Sequence, residues 1–436
     1  MAALLVFLAA TPARDGPPNP YCAQHISFCY VYRMTMPLPF DLNLRHLRSL
    51  SAVVEHGTLS AAAARVGLSQ PALTQGLSKL ERQLDRVLFD RRPDGLAPTE
   101  AGLVMASRAA AAFTYLGSSS RARTAGRGFS RPEQLMTATQ LEAFLHVANA
   151  GSFVGAAAES SLSQPALHRA VRDLEQVTGV PLVERRGRGV ALTAHGQRMA
   201  RGVRLAEREI AAGIAELSAD PAGTGRIAIG AMPLSRALIL PRALAAFTRA
   251  APGVAVDVIE GSWRELIDPL RDGLLDMTIG ALRDTPPPGV VQRALFSDRL
   301  AVVARAGHPL AGITAPTRDD LAGFPWIVGS RETPLAAHWH RLFAGGTLPT
   351  APIACGSVMV IRGLLQDSDL LTLLSPDQVA LEIDAGLLTT IGPPLAGSLR
   401  TIGLTTRADW RPTTAQRRLV ALIEAASSEV AIRENE

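Results

Sequence analysis

The chain has 436 residues, 47% hydrophobic and 19% charged, which is apolar enough for several packed cores and excludes a disordered polymer. At roughly 100–200 residues per domain, this length predicts two to four domains. Its three cysteines, Cys22, Cys29 and Cys355, form neither a CxxC pair nor a zinc-type Cys/His spacing, so no disulfide framework, metal or other cofactor is expected.

The formal charge is +5, carried almost wholly by arginine, with Lys79 the one lysine. The surplus sits in residues 41–220, with 22 basic against 17 acidic side chains, whereas residues 221–436 carry 20 against 21. A basic N-terminal half permits a polyanionic partner without requiring one.

In chain order, Met1–Ala13 comes first and resembles the apolar core of a signal peptide, but no basic residue precedes Arg14, so the n-region is missing. Residues 1–40 are expected to be an upstream extension, disordered or not translated, with translation starting at Met34 or Met36. The competing reading is an exported periplasmic solute-binding protein. No stretch reaches the roughly 18–20 apolar residues of a membrane span, and no membrane partner is expected.

From residue 47 the sequence repeats itself. Leu68-Ser69-Gln70-Pro71-Ala72-Leu73 recurs as Leu162-Ser163-Gln164-Pro165-Ala166-Leu167, an offset of 94 that holds without a gap from Leu47/Leu141 to Gly102/Gly196. About twenty positions match, which marks a duplicated unit. Each unit predicts a helix with one apolar face (Leu47, Leu50, Val53, Val54; Leu141, Phe144, Leu145, Ala148) ended by Gly57 or Gly151. A short Ala-rich helix follows, Ser60–Val66 or Val154–Ser160. After a tight turn, Ser69 or Ser163 is placed to cap a third helix. Pro71 or Pro165 falls in its first turn, where a missing N–H costs nothing. That helix runs to about Arg82 or Gln176, and a basic hairpin follows.

The third helix carries donors on its outer face: Gln70, Thr74, Gln75, Ser78 and Lys79 in copy one, and Gln164, His168, Arg169 and Arg172 in copy two. These residue types read adenine, guanine or phosphate. Arg91 and Arg92, or Arg185, Arg186 and Arg188, would grip flanking phosphates from the hairpin.

Leu44–Gly102 resembles the N-terminal winged helix-turn-helix of LysR-type transcriptional regulators, including the Ser-Gln-Pro-Ala-Leu stretch. Residues 139–196 resemble it a second time, and residues 225–425 resemble the family's effector-binding domain. The duplication departs from the usual single unit. The resemblance implies a multidomain fold: two all-α-type winged helix-turn-helix domains (41–102, 139–196), then an α/β, two-lobed, periplasmic-binding-protein-like effector domain (223–430). It also implies a cytoplasmic, sequence-specific regulator that binds double-stranded DNA as a homodimer or homotetramer, contacts RNA polymerase, and answers to a small-molecule effector.

Between copies, a helix is expected over about Glu100–Tyr115, followed by a flexible Gly117–Gly128 tether within residues 103–138. After copy two, a long helix is expected over about Ala194–Leu217; with the segment 197–222 it corresponds to the family's subunit-pairing linker. The C-terminal half alternates strand and helix: strands at Arg226–Gly230, Val254–Ile259 and Met277–Ala281, and helices at Ser235–Arg249 and Trp263–Arg271. This is βαβ logic and predicts a parallel sheet. A second alternating set spans about Leu300 to Thr390, and the final helix, about Thr414–Ser427, should return to the first lobe.

Ligands of open α/β sheets bind beyond the carboxyl ends of strands. There the sequence offers Met232, Ser235, Trp263, Arg283, Ser330 and Ser357 as effector contacts: serines for oxygen-rich groups, Trp263 for a ring, Arg283 for a carboxylate. Gly230-Ala231-Met232-Pro233 is similar to a family branch associated with sugar-utilisation or aromatic-acid regulation, which implies a sugar-like or organic/aromatic acid effector. No nucleophile elbow, P-loop or His-x-x-x-His pair is present, so no enzyme is expected.

Overall fold

The structure, a computed structural model, describes residues 37–92, 95–120, 129–187, 189–218, 220, 223–233, 239–329 and 333–433. Cys22, Cys29 and most of the expected N-terminal extension lie outside these residues. The chain falls into two units that divide between Glu207 and Arg208.

The first unit holds both copies. Copy one comprises α1 (Leu44–His56), α2 (Leu59–Val66), α3 (Gln70–Leu84), the hairpin β1 (Phe89–Arg92) and β2 (Gly95–Pro98), and α4 (Glu100–Ser120). Copy two repeats this order as α5 (Ala138–Ala150), α6 (Phe153–Glu159), α7 (Gln164–Thr178), β3 (Val183–Arg186), β4 (Gly189–Leu192) and α8 (Ala194–Glu216), whose residues from Arg208 on belong to the second unit.

Local chemistry sets these boundaries. The Asn43 side chain accepts from Arg45 N, Thr58 from Ala61 N and Ser69 from Ala72 N. In copy two Thr137, Ser152 and Ser163 do the same for Gln140, Gly155 and Ala166. Each bond satisfies one of the free N–H groups at a helix start. Gly57 and Gly151 end the first helices in the left-handed region, at φ 71° and 63°, as glycine readily does. Of the predicted first-helix faces, Leu47, Leu50, Val53, Leu141, Phe144 and Leu145 are buried and Val54 and Ala148 half-buried; on the third helices Leu73, Leu77, Leu80 and Leu84, and Leu167, Val171 and Leu174, are buried.

Two sequence expectations need correction here. Residues 37–40 fold: Pro39–Asp41 forms a 3-10 turn, and Leu38 N donates to Asp41 Oδ2 at 2.8 Å. The Gly-Ser run after Tyr115 is not a tether up to Ser120, because α4 continues through it. Ser118, Ser119 and Ser120 each donate a hydroxyl to the carbonyl three residues back, and Leu116, Gly117 and Ser120 are buried. Burial and back-bonding override the weak helix propensity of these residues. The remainder of the expected tether, 121–128, lies outside the described residues.

The second unit contains two five-stranded sheets. Its elements in chain order begin with β5 (Gly225–Ala231), α9 (Ile239–Ala250), β6 (Val254–Glu260), α10 (Trp263–Arg271), β7 (Met277–Ala281) and β8 (Val290–Asp298). They continue as β9 (Ala301–Arg305), α11 (Arg318–Ala322), β10 (Trp326–Val328), α12 (Pro334–Leu342), β11 (Ile353–Ala354), α13 (Val358–Gln366) and β12 (Leu371–Leu374). The last are α14 (Ala380–Asp384), β13 (Leu388–Ile391), β14 (Arg400–Arg407) and α15 (Thr414–Arg433).

The first sheet runs β6-β5-β7-β14-β8 and the second β11-β10-β12-β9-β13. Neither is purely parallel, contrary to the βαβ expectation. β5 is parallel to β6 and β7, but β14 is antiparallel to both β7 and β8. Likewise β10 is parallel to β11 and β12, whereas β9 runs against β12 and β13. The βαβ rule governs consecutive crossovers, and strands that arrive from the other sheet escape it. The chain leaves the first sheet after β8, builds the second, and returns through β14, after which α15 packs on α9 and β8. Ile227, Ile229, Phe247, Leu404 and Leu419 centre one core. Trp326, fully buried, centres the other with Trp339 and Phe343.

Candidate nucleic-acid interface

Helices α3 and α7 start with the same geometry. Ser69 and Ser163 have φ −71° with ψ 149° and 151°, and both helices carry proline in the first turn. Leu73, Leu77 and Leu80, or Leu167, Val171 and Leu174, turn into the core. This leaves Gln70, Pro71, Gln75, Ser78 and Lys79 exposed on α3, with Thr74 half-buried, and Gln164, Pro165, His168, Arg169 and Arg172 exposed on α7.

Gln75, Lys79, Arg169 and Arg172 make no hydrogen bond or ion pair among the described residues, so their donors face solvent. Two candidates are more constrained. Thr74 returns its hydroxyl to Gln70 O at 3.0 Å. The His168 ring stacks on Phe153, with centroids 3.6 Å apart, which fixes the direction of the imidazole.

The hairpins are braced to these helices identically. Glu81 Oε1 accepts from Leu88 N at 2.9 Å and Phe89 N at 3.3 Å. Glu175 Oε1 accepts from Leu182 N at 2.7 Å and Val183 N at 3.2 Å. Thr99 donates to Val87 O and accepts from Gly102 N. Thr193 does the same with Pro181 O and Gly196 N. A carboxylate taking two backbone N–H bonds makes a strong, oriented link, so each wing is fixed relative to its own exposed helix. Arg92, Arg185 and Arg186 are exposed on the hairpins, while the Arg91 side chain and Arg188 lie outside what is described. Glu81/Glu175 and Thr99/Thr193 are identities of the 94-residue repeat, the one signal in the sequence that marks these positioning groups.

Within the same unit, α1, the end of α2, α4 and residues 131–134 line a cavity of about 490 Å³ that includes Arg48, Glu55, Arg65, Phe113, Arg131 and Glu133. Arg48 lies 5.3 Å over the Phe113 ring and donates to Glu133 O. Burial, chiefly, and the nearby Arg45 push the Arg48 pKa down, while Glu133 opposes them.

Three of the expected effector contacts gather at one end of the first sheet. Met232 is buried in a cluster with Leu266, Leu270 and Leu275, and Trp263 packs against that cluster. The Arg283 guanidinium lies 5.4 Å over the Trp263 ring. Burial, and then Arg264, lower the Arg283 pKa, with Asp284 opposing. Met232 is thus part of the core, and Trp263 combines packing with a cation–π contact. Ser357 belongs to the second sheet, where it caps α13 by accepting from Val360 N at 3.5 Å. Ser235 and Ser330 lie outside the described residues. No group of three or more His, Cys, Asp or Glu suited to a metal occurs among the described residues.

Two family models match the chain. One, the LysR substrate binding domain, covers residues 222–428. The other, the bacterial regulatory helix-turn-helix protein of the lysR family, matches twice, at residues 44–103 and 138–197. The HTH-type transcriptional regulator GalR of Pseudomonas putida is 31% identical over 394 residues, 89% of this chain and 98% of that protein. That span exceeds the whole stretch from residue 139 to the C-terminus, so the similarity runs into copy one. The regulator PcaQ of Agrobacterium fabrum is 28% identical over 302 residues, 68% of this chain and 97% of its own length. Two solved structures share the fold. Full-length OxyR of Pseudomonas aeruginosa has a TM-score of 0.52 at 22% identity, covering 67% of this chain and 94% of its own. ArgP of Mycobacterium tuberculosis has a TM-score of 0.53 at 18% identity, covering 66% and 96%.

Proposed function

The chain belongs to the LysR family of transcriptional regulators, as a DNA-binding regulator with an effector-binding domain, and from that premise we propose that both winged copies bind duplex DNA in the cytoplasm. The relatives are transcriptional regulators, which sets aside the exported solute-binding reading. The observation that carries the proposal is the presence of two N-capped helices, α3 and α7, whose exposed amide and cationic side chains no other described residue engages, beside a braced basic hairpin. A major groove accepts such a helix, and phosphates accept the hairpin arginines.

The effector in this reading is a sugar-like or organic/aromatic acid molecule held between the two lobes, with Trp263 and Arg283 as its ring and carboxylate contacts. Met232 backs them, and Ser235, Ser330 and Ser357 supply hydroxyls. A guanidinium over an aromatic face is suited to an anionic or planar ligand. Lobe closure biases a homodimer or homotetramer between two states only to the extent that the effector prefers one of them, and the response is passed to RNA polymerase.

The test is binding of the full chain to the DNA upstream of its own coding region across a salt series. Each neutralised phosphate contributes about −0.9 to the slope of log affinity against log salt. Replacing Arg169 and Arg172 by alanine, and separately Gln75 and Lys79, is expected to weaken binding roughly tenfold or more in each case. Undiminished binding by both double variants would overturn the assignment of the two helices.

A further inference from the structure

We infer that the two copies form one DNA clamp within a single chain, α4 pairing with α8 in cis, and that this clamp reads a bipartite duplex site with unlike halves. This rests on the DNA-binding reading above and goes beyond it.

The first support is reciprocal packing. The Pro39–Asp41 turn that leads into copy one packs on α5 of copy two. The Pro132–Gln134 turn that leads into copy two packs on α4 of copy one and takes a hydrogen bond from Arg48 of α1 at Glu133 O. Since α5 repeats α1, each copy holds the other's lead-in turn. Such exchange of equivalent surfaces is the property of an isologous pair, here achieved by one polypeptide.

The second support is the crossing of α4 and α8. Ser119 Oγ lies 3.6 Å from Met199 Sδ. A Cβ added at Gly202 would meet the Ser119 side chain and lie 2.9 Å from Tyr115 O, so only glycine permits this approach. At the equivalent point of copy one stands Arg108. The departure from the repeat therefore falls where the two helices touch, and a glycine inside a long helix, which costs about 1 kcal/mol against alanine, has a packing reason.

The third support is chemical asymmetry. Thr74, Gln75 and Ser78 of α3 are replaced at equivalent positions of α7 by His168, Arg169 and Arg172. Amide side chains pair with adenine and guanidinium groups with guanine. The α3 half, with Gln75 and Lys79, and the α7 half, with Arg169 and Arg172, are thus read by different donor sets, Gln70 and Gln164 being common to both.

Two measurements on the full chain test this. The first replaces Ser119 and Met199 by cysteine in a background where Cys22, Cys29 and Cys355 are serine, and then oxidises it. The clamp predicts an intrachain disulfide on a monomer-sized band. An interchain dimer, or two thiols that stay free, would overturn pairing in cis. The second selects duplexes from a random-sequence library. The expected outcome is two unlike boxes at fixed spacing, with R169A/R172A relaxing selection roughly 10- to 100-fold at one box and Q70A/Q75A at the other. A palindrome whose boxes both relax with a single variant would overturn the asymmetric reading. Failure to enrich any duplex at low salt would sink the DNA-binding reading itself, whereas an interchain cross-link alongside normal enrichment would sink the clamp alone.

Discussion

Copy one and copy two are the same machine inside and different tools outside. The Ser-Gln-Pro helix start, the Glu81/Glu175 brace and the Gly102/Gly196 junction coincide within a few tenths of an ångström in their hydrogen bonds. The exposed faces of α3 and α7 share Gln70/Gln164 but little else. Positions that hold a wing to its helix admit few solutions, because each backbone group there must be paired and each Cβ must find space. Positions that face solvent are open to change, and that is where two different sequence preferences can arise on one scaffold.

The largest test of this equivalence lies at the two junction glycines. A Cβ at Gly102 would lie 2.1 Å from Leu88 O, and one at Gly196 would lie 1.9 Å from Leu182 O. Gly102→Ala and Gly196→Ala should each destabilise its own copy by about 3 kcal/mol, measured by denaturant unfolding of the full chain. A tolerated alanine at either site would break the comparison.

Next come the braces. Glu81→Ala and Glu175→Ala leave two backbone N–H groups without their acceptor and should cost roughly 1–3 kcal/mol each. Glu→Gln at the same positions keeps a carbonyl acceptor and should recover most of the loss. If the glutamine variants unfold as readily as the alanines, the acceptor geometry is not what holds the wing.

A smaller difference sits at the end of the recognition helices. Asp85 holds φ 50° where Gly179 holds φ 73°. Asp85→Gly should stabilise copy one by roughly 0.5 kcal/mol, since glycine enters the left-handed region without a Cβ penalty. Gly179→Asp should do the reverse in copy two, and thermal melts of both variants sharpen or remove the contrast.

The smallest effect is the pH response that His46 gives copy one. Burial against α3, then Lys79 and Arg45, lower the His46 pKa, and copy two has Gln140 at the equivalent position. A lowered imidazole pKa means the unfolded chain binds the proton more readily. Its contribution is fully present above the ordinary histidine value of about 6.5 and is lost as pH falls from there through the folded-state value. His46→Gln should therefore flatten the acid side of the stability profile between pH 7.5 and 5.5, and an unchanged profile would exclude His46 as its source.

Much of this molecule is legible in its sequence because the signals are local. A capping serine, a first-turn proline and a left-handed glycine each act within about four residues, and the 94-residue repeat displayed them twice. The proposed effector contacts are less legible. Trp263 and Arg283 come together across a cation–π contact, but nothing in the spacing of residues 232, 263 and 283 distinguishes a ligand wall from the core that buries Met232.

The sequence by itself determined the two winged units, the exposed polar faces of α3 and α7 and the alternating C-terminal half, since hydrophobic periodicity and capping chemistry are written in neighbouring residues. Only the tertiary structure decided that α4 runs on through Gly117–Ser120, that returning strands make both sheets mixed, and that Gly202 of α8 meets Ser119 of α4. Each of these depends on what a distant segment buries, and burial between segments far apart in the chain leaves no periodic trace in either one.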